Sequence, residues 1–138
     1  MNEPVSHKLA KFLKEKGFNG LCRSRYWVGY ENEEHLQEDC INANWNNYDD
    51  SSTTYYSAPT ISQVVMWIYK KYGVWINAQY MGNEIKFTWS IDVINEDNLN
   101  DTSWTSYSPD EEDKISFDSP EKAYEAAFEF YFTELNIS

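Results

Sequence analysis

Few side chains in this chain have chemistry to offer. Cys22, Cys40, His7 and His35 are its only thiols and imidazoles. A closed zinc site needs four such ligands at tight spacing, commonly around a Cys-x-x-Cys pair. That pair is missing, and the run from Cys22 to His35 to Cys40 fits no zinc pattern, so no metal is expected. A nucleophilic thiol needs a positive neighbourhood and a base. Arg23 and Arg25 favour a thiolate at Cys22, yet neither histidine lies in a catalytic phrase and no Gly-x-Ser-x-Gly elbow occurs. Cys22 therefore reads as a small buried hydrophobe and His35 as a solvated loop residue.

Carboxylates are plentiful, as in Asp49-Asp50 and Glu111-Glu112-Asp113. They fall in polar stretches, whereas acid–base catalysis needs two carboxyl groups in contrasting surroundings. Asp92, Glu96, Asp97 and Asp101 lack the alternating ligands and central glycine of a calcium loop. With five glycines and neither a P-loop nor a Gly-x-Gly-x-x-Gly turn, no nucleotide cofactor is expected. The balance is against an enzyme.

The net charge is −12, from 23 acidic and 11 basic side chains. Nucleic acid binding needs cations that displace counterions, and an anionic membrane surface repels the same excess charge. A partner, if there is one, is a basic protein; plain solubility is the competing reading. The opening Met-Asn-Glu-Pro-Val-Ser has neither a basic region nor an apolar run, so a cytoplasmic protein is expected. Of the 24 aromatic rings, those of Trp45, Trp67, Trp75 and Trp104 are candidate partner contacts, because Trp and Tyr anchor interfaces. The alternative is that they pack beneath long loops.

The elements that must position these groups are partly legible. Val74, Ile76, Ala78 and Tyr80 alternate with polar residues and Trp75, as do Ile85, Phe87, Trp89, Ile91 and Val93 beyond Gly82-Asn83. A two-residue turn there gives an antiparallel hairpin over 74–81 and 84–94. Its register puts Tyr80 opposite Ile85, Ala78 opposite Phe87, Ile76 opposite Trp89 and Val74 opposite Ile91, all on one face. The other face, with Asn77, Gln79, Lys86, Thr88, Ser90 and Asp92, meets water.

Three helices flank the hairpin. The first spans 6–16, capped by Ser6, stopped by Gly17, with Phe18 folding back on Leu13. The second spans 60–72, opened by a Thr60/Gln63 capping box and stopped by Gly73. The third spans 119–135, opened by Ser119-Pro120-Glu121, with Ala123, Ala127, Phe130, Tyr131 and Leu135 inward. Residues 22–30 read as a strand, Thr53–Tyr56 and Ile115–Phe117 as short ones. Residues 31–57 and 95–114 read mainly as polar loops.

The expectation is one α+β domain, 1–138, in two layers. An antiparallel sheet of three to four strands carries three helices packed mainly on one face.

Three phrases resemble a family of small uncharacterised proteins from Bacteroides-type gut bacteria and their phages or mobile elements. They are the run Lys8–Phe18, the run Tyr56–Thr60 with Trp67 beyond it, and the run Phe117–Ala127. The resemblance implies an intracellular bacterial protein and brings no catalytic residue with it. Three functions compete: a non-enzymatic protein-interaction or accessory factor, an acidic decoy that mimics nucleic acid toward a DNA-binding protein, and a small enzyme using loop carboxylates or Cys22. The first fits the missing catalytic phrases and the abundant Trp and Tyr.

Overall fold

The computed structural model describes residues 3–29, 31–50, 52–82, 86–98, 101–109 and 116–136. The chain is α+β, with helices packed against open antiparallel sheets. Its contacts fall into two compact units, Met1–Trp67 and Ile68–Ser138.

In the first unit, α1 (His7–Glu15) starts where the Ser6 hydroxyl accepts from the Leu9 N–H. It ends as the sequence predicts. Gly17 takes φ +86°, its N–H donates to Lys14, and the Phe18 N–H donates to the Leu13 carbonyl, satisfying carbonyls that the helix end would orphan. The sheet holds β1 (Arg25–Val28), β2 (Glu34–Gln37), β3 (Asp49–Asp50) and β4 (Thr53–Ser57) in the order β2-β1-β4-β3. Every pairing is antiparallel.

The segment 31–57 is thus not mainly a polar loop: it supplies three of the sheet's four strands. β2 is exposed at all four positions, so it carries no hydrophobic alternation to betray it. A 3-10 turn, Trp45–Asn47, replaces side-chain periodicity with specific bonds. The Asn46 side chain accepts from the Ser57 N–H at 2.8 Å and donates to the Phe18 carbonyl at 3.0 Å.

α2 (Ile61–Tyr72) opens with the expected capping box made in full. Thr60 N–H donates to Gln63 Oε1 at 3.0 Å, and Gln63 N–H donates to Thr60 Oγ1 at 3.2 Å.

In the second unit, β5 (Val74–Tyr80), β6 (Phe87–Asn98) and β7 (Asp101–Tyr107) form a three-stranded sheet in that order. The expected hairpin is there, with its register moved by two. Tyr80 faces Phe87, Ala78 faces Trp89, Ile76 faces Ile91 and Val74 faces Val93. The connection is longer than a two-residue turn, and Met81 N–H closes it by donating to the Lys86 carbonyl. A shift of two preserves every facing, because side chains alternate with period two. Val74, Ile76, Trp89 and Ile91 are buried as expected, while Tyr80 at the hairpin end is exposed. Ile85 lies outside the described residues.

The stretch 95–114 needs the same correction as 31–57. β6 runs on to Asn98 and β7 returns, where a polar loop is expected. Phe117 reaches the sheet through a two-bond bridge to Phe87. α3 (Pro120–Phe130) has Ser119 as cap, with its hydroxyl accepting from Lys122, and Pro at the first turn. It continues as a π-helical turn, Tyr131–Leu135. Ala123, Ala127 and Tyr131 are buried as expected; Phe128 and Phe132 join them, and the Phe130 ring lies 5.1 Å from Trp89.

Candidate functional site

The two faces of the four-stranded sheet are chemically different. On one, Tyr26 and Tyr56 hold the His7 imidazole between their rings, at 5.0 and 5.1 Å. His7 is buried, its Nδ1 lies 2.8 Å from Glu34 Oε1, and its Nε2 meets no partner. Lys11 also approaches Glu34, at 3.8 Å.

The opposite face is a polar-aromatic mosaic. The Arg25 guanidinium lies over both the Trp45 and Tyr55 rings, at 4.3 and 4.5 Å. Its Nε and Nη2 both donate to Gln37 Oε1, which holds the plane in place. Trp27 and His35 stack at 4.1 Å on the same face. His35 is therefore a strand residue with a ring partner, not a free loop side chain. Each of these rings has a partner on one face.

The four tryptophans singled out by the sequence go to different places. Trp45 is 7 % exposed, and its indole N–H donates to the Cys22 carbonyl at 2.9 Å. It is core, and the indole is not available as an anchor. Trp67 is half-buried against the Phe18 ring at 5.3 Å. Trp75 is 41 % exposed on β5, edge-on to Tyr69, which is 43 % exposed. Trp104 stands on β7 as the register partner of Ile94, and its side chain lies outside the described residues.

Trp75 lies on the face of the three-stranded sheet opposite Trp89. α3 packs on the Trp89 side. The Trp75 side also carries Gln79 and Ser90, hydrogen-bonded at 3.4 Å, and Asp92, which accepts from Ser106 Oγ at 2.6 Å. Ile94, one strand position beyond Asp92 on that face, is 39 % exposed. This face, polar by sequence, also carries Trp75, met by the exposed Tyr69 ring, and the exposed Ile94. Tyr69 at the end of α2 is the signal that could have found that ring pair.

Cys22 is buried, and desolvation pushes its thiol from the ordinary 9.0 up to about 11, against a smaller opposing pull from Ser57. The arginines beside it in sequence do not activate it; burial wins. Cys40 is also a free thiol, half-buried. Among the described residues, no group of three or more His, Cys, Asp or Glu side chains is placed to hold a metal ion, and no helix is long and apolar enough to cross a membrane.

A cleft of about 480 Å³ opens in the first unit. Its wall includes Leu21, Arg23, Glu38, Asp39 and Gln63. Both acids lie on the turn that follows β2. No protein-family model, curated protein or solved structure matches the chain.

Proposed function

We propose that this chain is a non-enzymatic interaction protein that docks a basic protein on the outer face of its three-stranded sheet. The observation that carries the reading is the exposed Trp75–Tyr69 pair beside Asp92 and Ile94. Large aromatic side chains anchor interfaces, and surrounding polar groups set register. Charge favours a basic partner. Residues 68–138 contain fourteen acidic and five basic side chains, so they hold nine of the chain's twelve excess negative charges. Such a field speeds encounter with cations and weakens with salt. The resemblance of the helix-cap phrases to small phage or mobile-element proteins supports an accessory role in a bacterial cell.

The test compares wild type with Trp75→Ala and Asp92→Asn as bait in a bacterial lysate at low and high salt. A basic protein held by wild type, lost by Trp75→Ala and weakened by salt supports the reading. Recovery of the same proteins by wild type and by both variants removes it.

The decoy reading has one observation in its favour. Glu121, Glu125 and Glu129 recur every fourth residue along α3, about 6 Å apart by helix rise. The phosphates of a DNA strand advance about 3.4 Å along the axis at every step for many steps, whereas three carboxylates on one helix make only a short row, and the reading ranks second. Duplex DNA that displaces the captured protein would promote it.

A further inference from the structure

We infer that the cleft of the Met1–Trp67 unit binds a free basic α-amino acid of the lysine or arginine type. This site is independent of the docking face on the other unit. Its volume of about 480 Å³ lies within the range of small-ligand pockets. Its charges are what make the ligand specific. Arg23 stands on the wall together with Glu38 and Asp39. Among the described residues, none of these three side chains makes an ion pair or a hydrogen bond. Opposite charges lining one hollow without neutralising each other are free to meet a ligand's charges instead.

The hollow is held in shape by bonds that leave those three groups free. Cys40 N–H donates to the Arg23 carbonyl at 2.7 Å, tying the acid-bearing turn to the segment just before β1 that holds Arg23. Asp39 takes φ +56°, the left-handed conformation that Asp tolerates better than most residues, and this defines the turn. Cys22 and Ala43 exchange two backbone bonds at 2.9 and 3.1 Å beside it. On the opposite side, Gln63 Nε2 donates to the Leu21 carbonyl at 2.9 Å while its Oε1 is held by Thr60. A site whose frame is fixed before binding loses less entropy when the ligand arrives.

Counting charges selects the ligand. One guanidinium takes one carboxylate, in bidentate fashion. Two carboxylates call for two cations. A neutral zwitterion leaves one acid unmet, and a diamine leaves Arg23 unmet. Free lysine or arginine has one carboxylate and two cationic groups. The methylene chain between them can lie on Leu21, which is 57 % exposed.

The experiment is calorimetric titration of the full chain with L-lysine and L-arginine. Three controls each lack one group: cadaverine the carboxylate, L-norleucine the side-chain cation, and Nα-acetyl-L-lysine the α-ammonium. Saturable one-site binding of lysine or arginine is expected, with each control at least about tenfold weaker, as the loss of one charge-assisted bond implies. Arg23→Ala should weaken lysine at least about tenfold and leave cadaverine unchanged. Asp39→Asn should narrow the gap between lysine and norleucine. Circular dichroism checks that both surface variants fold. The proposal is overturned by no saturable binding at concentrations on the order of 10 mM, by cadaverine matching lysine, or by a folded Arg23→Ala variant that binds as wild type. Acetyl-lysine matching lysine would overturn it in favour of a peptide carboxy-terminus.

Discussion

The indole nitrogen of Trp45 donates to the backbone carbonyl of Cys22 across 2.9 Å, and the same oxygen accepts from Ala43 N–H at 3.1 Å. A residue from a polar-looking segment is thereby fastened 23 positions back along the chain, under the Arg25 guanidinium. Trp45→Phe keeps most of the ring volume, and the carbonyl retains Ala43. The expected cost is about 1 kcal/mol. Trp45→Ala empties the space and should cost about 3–5 kcal/mol. Urea unfolding of the two variants checks this, and equal losses would assign the stability to the bond and not to the packing.

Cys22 predicts a loss of stability in alkali. Its thiol stays protonated in the folded chain up to about 11, whereas the unfolded chain ionises near 9.0. Between those values the unfolded state binds fewer protons, so stability falls as pH rises, by about 1.4 kcal/mol per pH unit. The contribution is complete below pH 9 and gone above pH 11. Cys22→Ala should flatten this part of the curve in urea unfolding at pH 8 and pH 10.5. In the native protein at pH 8, a maleimide should label half-buried Cys40 well before Cys22.

The inner face of the second unit rests on Trp89, which is 4 % exposed and packed on Phe130. Trp89→Ala should destabilise by about 3–5 kcal/mol. Thr88, its neighbour on the other face, should cost well under about 1 kcal/mol on change to Ala. Denaturant unfolding of the pair measures the difference, and equal losses would refute the facing.

The capping box gives a smaller, local prediction. Thr60→Ala removes the hydroxyl that holds the Gln63 N–H and should cost about 1 kcal/mol. Thr60→Ser keeps the acceptor and should restore most of it. Thermal unfolding of the three proteins decides the matter.

Helix boundaries were readable because capping is local chemistry. Ser6, Thr60 with Gln63, and Ser119 with Pro120 each act within one turn, so three residues suffice to announce a start. The facing of β5 and β6 was readable for the same kind of reason, since alternation is a property of neighbours. Register was not. A shift of two satisfies the same alternation, and only the length of the connection after Gly82 decides between the two. β2, β3 and β7 were hidden because their sequences, Glu-His-Leu-Gln, Asp-Asp and Asp-Thr-Ser-Trp-Thr-Ser-Tyr, read as polar. The Thr, Trp and Tyr of β7 are strand formers, a signal that the surrounding acids masked. The cleft was invisible for a different reason. Arg23 and the pair Glu38-Asp39 are fifteen positions apart in sequence, and only the pairing of β1 with β2 brings them to one hollow.

The outermost strands of the four-stranded sheet, β2 and β3, are four and two residues long. Each carries acid: Glu34 on one, Asp49 and Asp50 on the other. A rim this brief and this negative gives a passing β-rich chain little backbone to zip onto, and repels another copy that offers the same rim. Concentrated stocks of this protein should accordingly resist fibril growth seeded from that sheet.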